Sequence, residues 1–212
     1  MLRGDLPKDA PFNTDYILLK NTTVPGDKVP TFVDTARDAQ IARLGFGWGT
    51  VFADMNMDGH LDILASQNYA KMPLNFLMKQ YCGKLLQNDG EGHFTPVGIT
   101  ANALSKGFGI TPLIADYNGD GYPDIVWVNI DGPAKAHIND ASGPKGVIIP
   151  FPDTTRSLNA RVEYETDAGI VSRQVIAGQG LGSDQTRTMF MPPQDGITLI
   201  YYLDGRGERR KF

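Results

Sequence analysis

The chain has 212 residues, 41% of them hydrophobic, enough for one large domain or two smaller ones around a true apolar core. A net charge of −4, with Lys and Arg scattered except at Arg209-Arg210-Lys211, provides no basic field for phosphates, so no nucleic-acid partner is expected. No apolar run approaches the roughly 20 residues that cross a bilayer, and Met1 to Pro7 has no hydrophobic signal region. Neither a membrane span nor a signal peptide is therefore expected in this chain, which means either that it is not exported or that its leader lies outside the sequence.

The 24 glycines and 14 prolines favour many short strands over long helices, and the fold class expected is all-β. The lone Cys82 has no partner for an internal disulfide and is read as a small buried apolar residue. In chain order, Arg3-Gly4-Asp5 is a tripeptide that integrins can read but that arises readily by chance. Asn21-Thr22-Thr23 is a glycosylation acceptor only in an exported chain. Gly45-Phe46-Gly47-Trp48-Gly49 then leads into a predicted strand at Val51-Phe52-Ala53, an aspartate loop from Asp54 to Asp62, and a second strand through Ile63-Leu64. Gly90-Glu91-Gly92-His93-Phe94 is a turn that delivers a further strand.

The pattern then repeats at an offset of 62. Gly107-Phe108-Gly109 follows Gly45-Phe46-Gly47 (107 − 45 = 62), Phe94 follows Phe32, and Asp116, Asp120, Gly121 and Asp124 follow Asp54, Asp58, Gly59 and Asp62. Predicted strands at Leu113-Ile114-Ala115 and Ile125-Val126-Trp127-Val128 flank the second loop. Asn139-Asp140 echoes Asn88-Asp89, and no third aspartate loop follows it. Residues 1–145 are thus expected to form a partial β-propeller of about two blades plus a fragment of a third. Residues 146–212 change character: Val147-Ile148-Ile149, an alternating hairpin from Ala160 to Val175, and Thr198 to Leu203 predict a small antiparallel β-domain. Gly178-Gln179-Gly180-Leu181-Gly182 between them is expected to be a tight inter-strand loop, since it fits neither a dinucleotide fingerprint nor a P-loop.

Both aspartate loops read D-x-N-x-D-G-x-x-D. Calcium takes 6–8 oxygens at about 2.3–2.6 Å, and alternate oxygen-bearing side chains separated by a glycine reversal match that demand. Two Ca²⁺ sites are expected. The first has side-chain oxygens from Asp54, Asn56, Asp58 and Asp62 with the backbone carbonyl of His60; the second has Asp116, Asn118, Asp120 and Asp124 with the carbonyl of Tyr122. Two such ions would bring the formal charge from −4 to 0. The twelfth position, a Glu in an EF-hand, is Ala65 in one loop and Trp127 in the other. The same residue types also build plain turns without a metal. His60, His93 and His137 are far apart in sequence and no serine sits in a nucleophile elbow, so neither a zinc site nor a catalytic residue is expected and the chain is read as no enzyme.

Gly45-Phe46-Gly47 leading to an aspartate loop inside a 62-residue repeat resembles the FG-GAP or VCBS repeat of integrin-like β-propellers. Asn159-Ala160-Arg161-Val162, Arg173 to Gly180, and Tyr202-Leu203-Asp204-Gly205-Arg206 resemble the ASPIC/UnbV domain that follows such repeats in cartilage acidic protein and its bacterial relatives. Phe190-Met191-Pro192-Pro193 and Tyr202-Leu203-Asp204-Gly205 depart from that domain's usual motifs. The resemblance implies a secreted, extracellular or cell-surface protein (periplasmic if bacterial). Its expected role is a calcium-binding interaction module for cell adhesion or for protein or glycan partners, with further copies or chains completing the propeller. Two other roles fit such a repeat: support for a polysaccharide-acting enzyme, and a fibre or sheath assembled through open blade edges.

Overall fold

The computed structural model describes residues 16–42, 44, 47–67, 82–130, 132–141, 143, 145–166, 169–193, 197–202 and 204–211. Arg3-Gly4-Asp5 and the Gly45-Phe46 pair lie outside them. Every regular element among the described residues is a β-strand, apart from one 3₁₀ turn at Thr155–Ser157.

The chain opens with a two-stranded hairpin, β1 (Leu19–Asn21) and β2 (Phe32–Asp34). A four-stranded antiparallel meander follows: β3 (Gly47–Ala53), β4 (Asp62–Gln67), β5 (Lys84–Asn88) and β6 (Phe94–Pro96). A three-stranded one comes next, with β7 (Gly109–Ala115), β8 (Asp124–Asn129) and β9 (Lys135–His137). None of these sheets closes on itself, and together they are two blades of a partial propeller with a fragment of another before them. The repeat is kept residue by residue: 62 added to the bounds of β3 and β4 gives the bounds of β7 and β8. Even the irregularity recurs. β3 gains one residue on β4 between Gly47 and Thr50, and β7 gains one on β8 between Gly109 and Thr111; such bulges add local twist. β2 stands to β1 as β6 does to β5, with Asn21 opposite Phe32 and Asn88 opposite Phe94. The hairpin is therefore the outer half of a blade.

The blades meet face to face. Val51, Leu64 and Leu85 from the first pack on Ile114, Ile125 and Trp127 from the second, because alternation along each strand sends every other side chain to this joint. Trp127 is completely buried there, and its Nε1–H donates to the Ala103 carbonyl at 3.1 Å, the partner that a buried indole requires. At the opening of the strands, Ser66 Oγ accepts from Gly49 N–H at 2.9 Å and donates to the Ile110 carbonyl at 2.7 Å. The approach is so close that a Cβ on Gly49 would lie 2.6 Å from the Ile110 oxygen. Only glycine fits at that position. A second core covers the other face of the first blade, where Ala36, Ala39, Ile41 and Ala42 lie on Ile63, Leu86 and Phe94.

The tail holds β10 (Val147–Pro150) paired with β13 (Thr188–Met191). Beside them is a four-stranded antiparallel sheet of β11 (Arg161–Thr166), β12 (Gly169–Gln174), β14 (Ile197–Tyr201) and β15 (Gly207–Lys211), in the order β12-β11-β14-β15. Its core is its own: Ile149, Ala160, Val162, Tyr164, Met191 and Ile200 are all 2% exposed or less. The basic Arg209-Arg210-Lys211 run lies on the edge strand β15. The glycine-rich segment is an inter-strand loop between β12 and β13, with positive φ at Gly178, Gly180 and Gly182. It carries Gln185 to the open edge of β7, where the amide accepts from Ile114 N–H at 2.9 Å and donates to the Pro112 carbonyl at 3.1 Å. Cys82 is half-buried and not fully enclosed, since it sits at the approach to β5 and not inside it.

Candidate metal-binding loops

Each aspartate loop joins the two inner strands of a blade, β3 to β4 and β7 to β8. The sequence folds into the same skeleton twice. In the first loop Asp54 Oδ1 accepts from Asp58 N–H at 3.1 Å and Oδ2 from Gly59 N–H at 2.8 Å. In the second, Asp116 Oδ1 accepts from Asp120 N–H at 3.1 Å and Oδ2 from Gly121 N–H at 3.0 Å. The closing aspartates turn back in the same way: Asp62 Oδ2 accepts from Met55 N–H at 3.0 Å, and Asp124 Oδ2 from Tyr117 N–H at 2.8 Å. Gly59 and Gly121 hold φ of +92° and +97°, the left-handed reversal that glycine alone adopts freely.

The residues at positions three and five form Asx turns. Asn56 Nδ2 donates to Asp58 Oδ2 and Asn118 Nδ2 to Asp120 Oδ2, both at 2.7 Å. The position-seven amides of His60 and Tyr122 donate to Asp58 Oδ1 and Asp120 Oδ1 at 2.8 and 2.9 Å. The bonds from Asn118 and Tyr122 hold the Asp120 carboxyl below the usual carboxylate range. Every predicted side-chain ligand is thus on its loop, but the three carboxylates of a loop are not drawn within 4.8 Å of one another.

Asp54, Asp62 and Asp124 are 3%, 1% and 0% exposed. Buried carboxylates are costly as anions unless paired. Burial pushes Asp54 up to about 6, with the neighbouring Asp58 charge adding to the rise, and it pushes Asp62 up to about 6 as well. A hard divalent cation offsets such clustered charge, and each carboxylate oxygen keeps a lone pair beyond the one its backbone N–H occupies. The donor set fits calcium.

Two functional residues escape a reading of the loops alone. Asn88 N–H donates to Asp62 Oδ1 at 2.9 Å and its Nδ2 to the Leu61 carbonyl at 3.0 Å. Asn139 does the same for Asp124 Oδ1 and the Pro123 carbonyl at 2.8 and 3.2 Å. The end of the third strand in the first blade, and the segment just after the third strand in the second, thereby orient the last carboxylate of the loop. The recurring Asn-Asp dipeptide was the signal for it. The Asp89, Glu91 and His93 side chains form a further group whose ligand atoms lie within 4.8 Å of one another. It occupies the β5–β6 turn, where Asp89 Oδ1 accepts from the Glu91 and His93 amides at 2.8 and 3.1 Å and Oδ2 lies 2.9 Å from His93 Nδ1. These bonds make it a capped turn.

The tail reaches the first loop. Arg173 donates to the Gly59 carbonyl, and the Tyr164 hydroxyl, buried with no hydrogen-bond partner, lies 3.8 Å from where a Gly59 Cβ would be. The second loop has the aliphatic part of Lys145 over Gly121 instead. Compared with known families, residues 81–127 match the FG-GAP-like repeat, the segment that holds β5 to β7, the whole second loop and the first part of β8. No curated protein matches the chain. An FG-GAP repeat fits the partial propeller described above, and no helix among the described residues is long and apolar enough to cross a membrane.

Proposed function

We propose that this chain is an extracellular interaction module, without catalytic activity of its own, whose blades are set by two Ca²⁺ ions, one in each aspartate loop. The observation that carries the reading is the duplicated skeleton. Two D-x-N-x-D-G-x-x-D loops 62 residues apart make the same backbone bonds at positions one, five and nine, and both have their last carboxylate anchored by an asparagine at or just after the third strand. The ligands are Asp54, Asn56, Asp58, Asp62 and the His60 carbonyl, then Asp116, Asn118, Asp120, Asp124 and the Tyr122 carbonyl. Bound calcium supplies positive charge to groups that otherwise repel. The chain's own residues fix the strand crossings and so hold the blade faces in register. The FG-GAP-like match of residues 81–127 supports an extracellular setting, and the tail sheet is proposed to be ASPIC/UnbV-like. Protein or glycan partners, as in adhesion, suit a rigid surface of this kind.

Isothermal titration of the chelated chain with calcium tests the proposal. Saturable binding accompanied by a rise in melting temperature is expected; with calcium at about a hundred times its Kd the gain is about 2.7 kcal/mol. A flat titration with an unchanged melt in EDTA contradicts it. Turnover in a polysaccharide screen, lost on Asp58→Ala, contradicts the non-catalytic part.

A further inference from the structure

β3 and β7 are both edge strands of their sheets, and the chain treats the two edges differently. Alongside β7, the Gln185 amide accepts from Ile114 N–H at 2.9 Å and donates to the Pro112 carbonyl at 3.1 Å, while the Thr186 hydroxyl donates to the Ile114 carbonyl at 3.3 Å. Two side chains thus stand in for a neighbouring strand. These bonds also show which backbone groups of β7 point away from β8, because residues of an antiparallel strand alternate between facing the partner and facing outward. Subtracting 62 from Pro112 and Ile114 gives Thr50 and Phe52. The register is the same: Thr50 is opposite Ala65 and Phe52 opposite Ile63, as Pro112 is opposite Trp127 and Ile114 opposite Ile125. The N–H and carbonyl groups of Thr50 and Phe52 therefore point outward from β3.

Nothing among the described residues stands on them as Gln185 and Thr186 stand on β7. Pro112 and Ile114 are buried, whereas Thr50 is exposed and Phe52 is 43% exposed. The β3 edge is one wall of a cleft of about 640 Å³ between the first blade and the tail, a size that suits a ligand. β12 lines the cleft as well and is itself an edge strand, with Gln174 exposed at its end and Ile176 exposed just beyond. The charged groups among the lining residues are Arg173, Arg187 and Asp54. Asp54 is engaged by the amides of its own loop, and the Arg173 guanidinium donates to the Gly59 and Ser172 carbonyls. The complement to this lining is an acidic side chain.

We infer that the cleft takes an extended acidic segment of a protein partner, which pairs its backbone with Thr50 and Phe52 on the edge of β3 and directs a carboxylate to Arg173. An open strand edge is a template for another extended backbone, whose N–H and C=O groups recur at the same repeat. The hydroxyls of a glycan do not. The inference rests on the interaction-module reading and names the partner's chemistry. It uses the β3 edge and not the ions, so a failed calcium titration and an unoccupied edge are separate results.

Amide exchange of the whole chain reads the edge directly. In the free chain Phe52 N–H is expected to exchange about tenfold faster than the bonded Ile114 N–H. A displayed library of short linear peptides is then selected on the chain, and the enriched sequences are expected to be acidic, rich in β-branched residues and free of proline. The strongest of them, synthesised, is expected to slow exchange at Phe52 and to leave Ile114 unchanged. Thr50→Pro copies the residue that β7 holds at the equivalent place, removes one edge donor, and is expected to weaken that peptide about tenfold. If circular dichroism shows that this variant does not fold, a peptide N-methylated at alternate backbone positions supplies the same loss from the other side. Replacing the peptide's acid by the amide is expected to weaken binding to the wild type about tenfold and to Arg173→Gln hardly at all. A Phe52 N–H as slow as that of Ile114 in the free chain overturns the inference, as does a library with no enriched peptide. So does a peptide indifferent to Thr50→Pro and to N-methylation, or an oligosaccharide from a glycan array that protects Phe52 where peptides do not.

Discussion

The two aspartate loops share a hydrogen-bond skeleton and differ in what surrounds them. The first lies under the tail, with Arg173 on its Gly59 carbonyl and the Tyr164 hydroxyl close to Gly59, and its Asp54 and Asp62 are pushed up to about 6 by burial. The second faces outward, with Tyr117 49% exposed and Lys145 beside Asp120. Backbone strain differs too. Position four is Met57 at φ 60° in the first loop and Gly119 at φ 76° in the second, and the left-handed region costs a residue with a Cβ about 1–2 kcal/mol. The first loop therefore carries more strain and more buried charge, and it is held by contacts from outside the repeat. The first loop joins blade to tail, whereas the second is tied to the first blade through Asn139, which anchors Asp124 and donates to the Met55 carbonyl at 2.9 Å.

The largest effect that bears on this comparison is loss of a closing carboxylate. Asp62→Ala leaves the Met55 and Asn88 amides without an acceptor in a buried setting, each worth about 1–3 kcal/mol, so thermal unfolding should show a loss of about 2–6 kcal/mol, matched by Asp124→Ala. Equal losses indicate that the blades and not the tail set this term. Asn88→Ala and Asn139→Ala come next. Each removes side-chain amide bonds of about 1 kcal/mol; Asn88→Ala is expected to weaken calcium binding at the first loop only, and Asn139→Ala, whose Nδ2 also donates to the Met55 carbonyl of the first loop at 2.9 Å, at both loops, as read by titration. Arg173→Ala separates the loops: a fall of about 1 kcal/mol with weaker binding at the first loop, and no change at the second.

The smallest effect is in pH. Because the folded Asp54 and Asp62 sit at about 6, above an unfolded value of about 3.9, they favour the folded state below about pH 4, and that contribution is lost as pH rises through about 6. Calcium needs the deprotonated carboxylates. The difference in melting temperature between calcium and EDTA is therefore expected to widen from about pH 5 to 7, and to do so less in Arg173→Ala.

Much of this was legible in the sequence because the repeat is a one-dimensional signal. An offset of 62 located both loops, the β3–β4 and β7–β8 strands, and the glycines at +92° and +97°. The short strands β1, β2 and β9, with no more than three residues each, were hidden, since three residues carry no readable alternation. Gln185 and Thr186 were equally hidden. They meet Ile114 across about 70 residues of sequence, and no local pattern marks a side chain that seals a distant strand edge. The sequence marks Trp127 as a strand residue and as the one that rules out an EF-hand, but not that its completely buried ring fills the joint between blades. Within the site, the spacing placed the proposed ligands on the two loops but not the order of burial among them, in which Asp54, Asp62 and Asp124 lie deepest.

The most direct measurement is calcium stoichiometry by native mass spectrometry on four chains: wild type, Asp58→Ala, Asp120→Ala and the double variant. Asp58 is exposed and Asp120 is not buried, so these substitutions remove a ligand without opening the core. Two ions are expected for the wild type, one for each single variant and none for the double. A wild type that holds no calcium, or single variants that still hold two ions, would contradict the two-site reading.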